Sequence, residues 1–123
     1  MIHSDKIPKP GGHYSACVEH NGLLYVSGQL PFIPHTNELP EGIKAQTRQV
    51  LDNIRLILEE SGSKMSHILQ ARIYVPDVSL WGEVNSVYKD YMGDHKPARC
   101  VVPTRNLHHD SLIEMEVIAF VEA

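Results

Sequence analysis

The stretch Leu112-Ile113-Glu114-Met115-Glu116-Val117-Ile118-Ala119-Phe120-Val121 constrains the fold of this chain more than any other. Its β-branched and apolar content reads as a strand. Side chains alternate across a strand. Ile113, Met115, Val117, Ala119 and Val121 therefore share one face, and Leu112, Glu114, Glu116, Ile118 and Phe120 share the other. The first set is fit to pack beneath helices. The second is also partly apolar, so it too needs cover.

Only two helices are available to cover a sheet. Ile43 to Ser61 is the first, with Val50, Leu51, Ile54, Ile57 and Leu58 on one apolar face and Gln46, Arg48, Gln49, Asp52, Arg55 and Glu59 on the other positions. Leu80 to Met92 is the second, with Leu80, Val84, Val87, Tyr88 and Tyr91 marking its apolar side. Before the helices, Tyr14 to Glu19 and Leu23 to Ser27 read as strands joined by a hairpin turn at His20-Asn21-Gly22. Pro31, Pro34 and Pro40, with Asn37 and Gly42, mark a long irregular connection into the first helix. Ile68 to Val75 and Ala98 to Val102 supply two more strands, and His108-His109-Asp110 a turn. The order is β-β-α-β-α-β-β. It predicts an α+β fold, a mixed sheet with both helices on one face. Another subunit is the cheapest cover for the second face, and closed rotational symmetry is the usual outcome.

At 123 residues the chain is expected to form one domain, residues 1–123. Its 11 basic residues are scattered among 15 acidic ones, for a formal charge of -4, which argues against nucleic acid as a partner. No apolar run approaches a membrane span. Met1-Ile2-His3-Ser4-Asp5 lacks the pattern of a secretion signal, and the two cysteines, Cys17 and Cys100, read as buried thiols; together they predict a cytoplasmic protein. Among eight histidines, His108 and His109 are adjacent and expected to point apart, and none has metal-ligand spacing. No metal site is predicted, and no glycine-rich phosphate loop marks a nucleotide cofactor.

Two charges stand out against apolar surroundings. Arg99 ends the run Lys96-Pro97-Ala98-Arg99 before Cys100-Val101-Val102, and Glu114 interrupts the last strand. A guanidinium recognises a carboxylate through two parallel hydrogen bonds, and a nearby carboxylate can hold or activate water. The pair predicts a small site for an acidic metabolite, assembled from strand ends. Gly28, after Ser27, can bring backbone N–H groups up to a ligand, and Tyr14 places a hydroxyl near a strand end. Asn85 and Tyr88 are three apart on the second helix and share a face.

With these residues in place, the chain resembles the reactive-intermediate deaminase family, also called the YjgF/UK114 or L-PSP endoribonuclease-like family. The landmarks are Tyr14-Ser15, Leu24 to Pro31, Gln46 to Ile54, Asn85 to Tyr88, Pro97-Ala98-Arg99 and Leu112 to Glu116, covering about Gly12 to Ala119. The resemblance implies a chorismate-mutase-like fold and a homotrimer whose sheets face its centre and whose ligand clefts lie between subunits. It implies hydrolysis of reactive enamines or imines, of the 2-iminobutanoate and 2-iminopropanoate type, to 2-oxo acids and ammonia, without a cofactor. It assigns Arg99 to the substrate carboxylate, Glu114 to the water, and Tyr14, Ser27, Gly28, Asn85 and Tyr88 to substrate-binding positions; backbone N–H groups near Gly28 and Cys100 are expected to bind the substrate's oxygens and nitrogen. The chain departs from the family's Gly-Pro-Tyr-Ser-Gln opening with Gly12-His13-Tyr14-Ser15-Ala16, and Cys100 stands one position before the family's usual cysteine, where Val101 is found. The alternatives are a pathway-specific deaminase of aminoacrylate or 2-aminomuconate type, a non-catalytic carboxylate-binding trimer, and an endoribonuclease.

Overall fold

Asn21 and Gly22 both take positive φ, 53° and 80°, as a two-residue type I′ hairpin requires. They join β1 (Cys17–His20) to β2 (Leu23–Gln29) with His20 opposite Leu23. This computed structural model describes residues 4–122, so the first three residues of the N-terminal segment lie outside it. The expected first strand starts too early. Tyr14 lies in the loop before β1, its amide bonded to the Gly12 carbonyl at 3.1 Å.

α1 (Ile43–Glu60) follows the proline-rich connection, and Gly42 makes the entry turn at φ 87°. The expected apolar stripe is buried: Val50, Leu51, Ile54 and Leu58 are all fully enclosed. Each such side chain contributes roughly 1.5–3 kcal/mol through burial. Gln46 corrects the sequence reading, because it is only 5% exposed and belongs to this face. Its Nε2 donates to the Pro40 carbonyl at 3.0 Å, and its Oε1 accepts from the Leu112 amide at 2.8 Å. One side chain thus ties the connection, the helix and the approach to the last strand.

β3 (Ile68–Val75), α2 (Trp81–Met92), β4 (Ala98–Pro103) and β5 (Glu114–Phe120) complete the fold. A short 3₁₀ turn, Val78–Leu80, takes the place of the expected first residue of α2. The sheet order is β1-β2-β5-β3-β4; β3 and β4 run parallel and every other pair antiparallel. The mixed α+β sheet with two helices is as the sequence predicts. Ile113, Met115, Val117 and Ala119 are buried beneath the helices. The opposite face carries Val18, Tyr25 and Ile118 in one row and Tyr74 and Val102 in another. Val18, Tyr25 and Val102 are exposed there.

Cys17 is buried as expected, but Cys100 is exposed. The reason is strand parity: Cys100 lies level with Arg72 on the open face, whereas Arg99 lies level with buried Ala71. Among the described residues no helix is long and apolar enough to cross a membrane, and no group of three or more His, Cys, Asp or Glu side chains is placed to hold a metal ion.

Candidate functional site

The same parity separates the two charges singled out above. Glu114 stands opposite Tyr74 on the open face. Arg99 stands opposite Ala71, three residues away along β3 and hence on the helix-covered face. Within one chain they line two different clefts.

The Arg99 cleft, about 530 Å³, lies between α2 and the start of β4. Asn85 and Tyr88 present one face of α2 to it, as their spacing predicts. Arg99 Nη1 donates to Asn85 Oδ1 at 2.9 Å, and its guanidinium carbon sits 4.9 Å from the centre of the Tyr88 ring. An amide oxygen and an aromatic face orient the cation without neutralising it. Among the described residues, the ion pairs are Lys6–Glu60, Arg55–Glu59 and Arg72–Glu116, with a further contact between the His67 ring and Glu122, and none includes Arg99. Tyr88 is 7% exposed, and its hydroxyl is buried without a partner. Burial pushes the Tyr88 phenol up, with the Arg99 charge opposing, so the hydroxyl stays a protonated donor. β4 is an edge strand, leaving alternate backbone N–H and C=O groups without a strand partner beside Arg99 and Cys100.

The Glu114 cleft is larger, about 1020 Å³, and is lined by Tyr14, Ser27, Gly28, Glu114 and Glu116 among others. A Cβ built on Gly28 would collide with Oε2 of Glu114 and stand 3.2 Å from its Cδ. Gly28 thus makes room for the carboxylate, a role distinct from presenting its own N–H. Ser27 Oγ donates to the Ser15 carbonyl at 2.6 Å, and its amide to the Ala16 carbonyl at 2.9 Å. Its hydroxyl proton is therefore committed to holding the Tyr14–Ala16 segment against β2. Tyr14 itself is 54% exposed at the cleft. Burial pushes the Glu114 carboxyl above its ordinary range, the Glu116 charge adds to this, and His108 opposes it.

The sequence places Glu116 on the same strand face as Glu114 but does not show the partners that surround the pair. Glu116 Oε1 accepts from the Tyr74 hydroxyl at 2.5 Å and lies 3.7 Å from Arg72 Nη1. His108 and His109 also line this cleft. They do not point apart: their rings meet edge-on at 4.5 Å, and His109 packs edge-on against Phe32 at 5.0 Å. Positive φ at His109 and Asp110, 59° and 55°, turns the chain so that the two rings converge. Asn53 on α1 fixes the Phe32 side of the mouth by donating to the carbonyls of Leu30 and Phe32, at 3.2 and 2.8 Å.

This arrangement offers an oriented cation in one cleft and a proton-accepting carboxylate in another. A family model described as Endoribonuclease L-PSP matches residues 4–121. A RutC family protein of Pyrococcus abyssi is 41% identical over 123 residues, which cover 99% of this chain and 97% of the relative. RidA from the Antarctic bacterium Psychrobacter superposes with a TM-score of 0.92 at 35% identity, covering 98% of each chain. The E. coli TdcF structure with bound serine superposes with a TM-score of 0.92 at 28% identity, covering 99% of this chain and 98% of TdcF. The chain belongs to the endoribonuclease L-PSP family, the family also called Rid or YjgF.

Proposed function

We propose that the protein is a cofactor-independent hydrolytic deaminase of reactive imines and enamines that carry a carboxylate, releasing 2-oxo acids and ammonia. The observation that carries this reading is Arg99. It is a half-buried guanidinium aimed by Asn85 and Tyr88, with no carboxylate partner among the described residues. Such a cation favours an incoming carboxylate, which supplies both countercharge and matched acceptors. The family resemblance supplies the reaction class, and a structural relative carries the name RidA. Bound serine in TdcF is a small carboxylate in a related fold.

Arg99 and Glu114 lie on opposite faces of one sheet, so a site that uses both requires two chains. We place it between copies of a homotrimer, the Arg99 cleft of one facing the Glu114 cleft of its neighbour. Arg99 holds the substrate carboxylate, with the Tyr88 hydroxyl as a further donor. An enamine first tautomerises to the imine, and the imine nitrogen takes a proton from solvent. Glu114 takes a proton from water as the water oxygen bonds to the carbon of the protonated imine, and the C=N electron pair moves onto nitrogen. The proton on Glu114 passes to that nitrogen. The C–N bond then breaks, ammonia leaves with the bonding pair, and the hydroxyl proton passes to Glu114, which releases it to solvent, as the 2-oxo acid forms. Each step needs orientation and a base of raised proton affinity, and both clefts supply one of these.

Arg99→Lys tests the reading, because a lysine keeps the charge but not the two-point fork. Losing a buried charged hydrogen bond costs roughly 2–5 kcal/mol, or about 30- to several-thousand-fold in binding. Ammonia release from freshly generated 2-iminobutanoate and calorimetric binding of 2-oxobutanoate are expected to weaken together in this variant. Unchanged binding and turnover would remove Arg99 from the site. Binding of 2-oxobutanoate by the wild type without turnover of any imine would favour a carboxylate-binding protein instead.

A further inference from the structure

Glu116 has no part in the mechanism above, yet it faces the same cleft as Glu114, two residues along β5. Two carboxylates at this spacing lie side by side on one strand face. Their surroundings differ. Glu116 accepts a hydrogen bond from the Tyr74 hydroxyl at 2.5 Å and lies 3.7 Å from Arg72 Nη1. Arg72 is itself held, with Nη2 donating to Gln70 Oε1 at 3.0 Å. Gln70, Arg72 and Tyr74 alternate along the open face of β3, so the clamp is built by one strand onto the next. Glu114 receives none of these bonds. Opposite it on β3 is the same Tyr74, whose hydroxyl is committed to Glu116, and on β2 it meets Gly28, which carries no side chain.

We infer that Glu116 is a positioning residue for the proposed reaction: held in place by Tyr74 and Arg72, it makes its strand neighbour Glu114 the base of the pair. The inference rests on the reading of Glu114 as the group that accepts the proton. Burial is the larger cause of the raised Glu114 carboxyl, and the Glu116 charge adds to it, by the rule for adjacent carboxylates in which the better-bonded member raises the proton affinity of the other. Tyr74 and Arg72 decide which member is which. The bond to Glu116 pushes the Tyr74 phenol up to about 12, so Tyr74 remains a donor across the working range. Other charged or titratable groups that meet Glu114 come from separate elements. His108, in the turn before β5, opposes the effect when protonated. Tyr14 and Lys9 of the N-terminal segment, His35 of the long connection and His109 line the outer cleft.

The decisive measurement is the carboxyl ¹³C titration of Glu114, read by NMR on the intact protein in wild type, Glu116→Gln and Tyr74→Phe. Glu116→Gln removes the charge and keeps the shape, so the Glu114 titration is expected to move to lower pH. Tyr74→Phe removes the hydrogen bond that favours the charged form of Glu116, and is expected to move it in the same direction by less. The acid limb of the kcat/KM profile for imine hydrolysis should follow the NMR shift. An unmoved Glu114 titration in a folded Glu116→Gln protein would overturn the inference and leave Glu116 as a strand-to-strand tie. The NMR result stands whether or not an imine is turned over. A deaminase failure therefore reads out separately, as absent ammonia release from the wild type.

Discussion

Glu114 is held in a place that suits chemistry better than stability. Gly28 clears the space beside it, and the strand carries it half-buried next to a second carboxylate. Burial first, and the Glu116 charge second, raise its pKa above the ordinary value of 4.5. The sign of the consequence follows from proton linkage: a carboxyl that binds its proton more tightly when folded favours the fold while protonated. That contribution is fully present below 4.5 and is lost as pH rises through the folded value. At neutral pH the ionised Glu114 therefore weakens the protein. Glu114→Gln is expected to raise the midpoint of thermal unfolding at pH 7 while sharply lowering turnover. The gain should shrink toward zero as the pH is brought below 4.5. Calorimetric scans of both proteins across this range check it. A variant less stable than wild type at pH 7 would show that Glu114 makes a favourable contact in its ionised form.

At the scale of elements, Gln46 shows how a buried polar side chain can organise a site from a distance. It joins the Pro40 carbonyl, the first turns of α1 and the Leu112 amide, two residues before Glu114. Gln46→Ala leaves both backbone groups without their partner, and each such loss costs about 1–3 kcal/mol when water cannot enter. The variant should unfold at lower denaturant, with an unchanged slope if the fold is otherwise intact. This residue also marks how the sequence was legible and where it was not. Gln46, Val50 and Ile54 follow each other at four-residue intervals, so the spacing alone places Gln46 on the buried stripe; its polarity hid that. The hairpin at Asn21-Gly22 and the alternation of β5 were readable because local geometry fixes them. The clamp of Tyr74 and Arg72 on Glu116 was not, since it depends on which strand lies beside β5 and in what register. Nor was the separation of Arg99 from Glu114, which follows from the pairing of Ala71 with Arg99 and of Tyr74 with Glu114 across three adjacent strands. The exposed Cys100 follows from the same pairing.

The whole molecule raises the question of what completes each cleft. One face of the sheet is closed by α1 and α2, while Val18, Tyr25 and Val102 remain exposed on the other. Apolar side chains spread over a sheet face favour burial against another surface, and copies of the same chain provide one. A trimer formed there is our proposal for how an Arg99 cleft meets a Glu114 cleft. It can be tested without a structure of the complex. Arg99→Ala removes the first half-site and Glu114→Gln the second, and each variant alone is expected to be inactive. If each site draws Arg99 from one chain and Glu114 from the next, random assembly of an equal mixture restores both halves in about a quarter of sites. Unfolding the two variants together and refolding them should therefore recover about that share of wild-type ammonia release, while refolding each alone recovers none. If a single chain supplied both residues, every chain in the mixture would still lack one, and activity would not rise above the sum of the separate variants. The measured mass of the refolded mixture fixes the denominator: a monomer at micromolar concentration removes the shared site altogether, and a trimer without recovery places the two clefts apart within it.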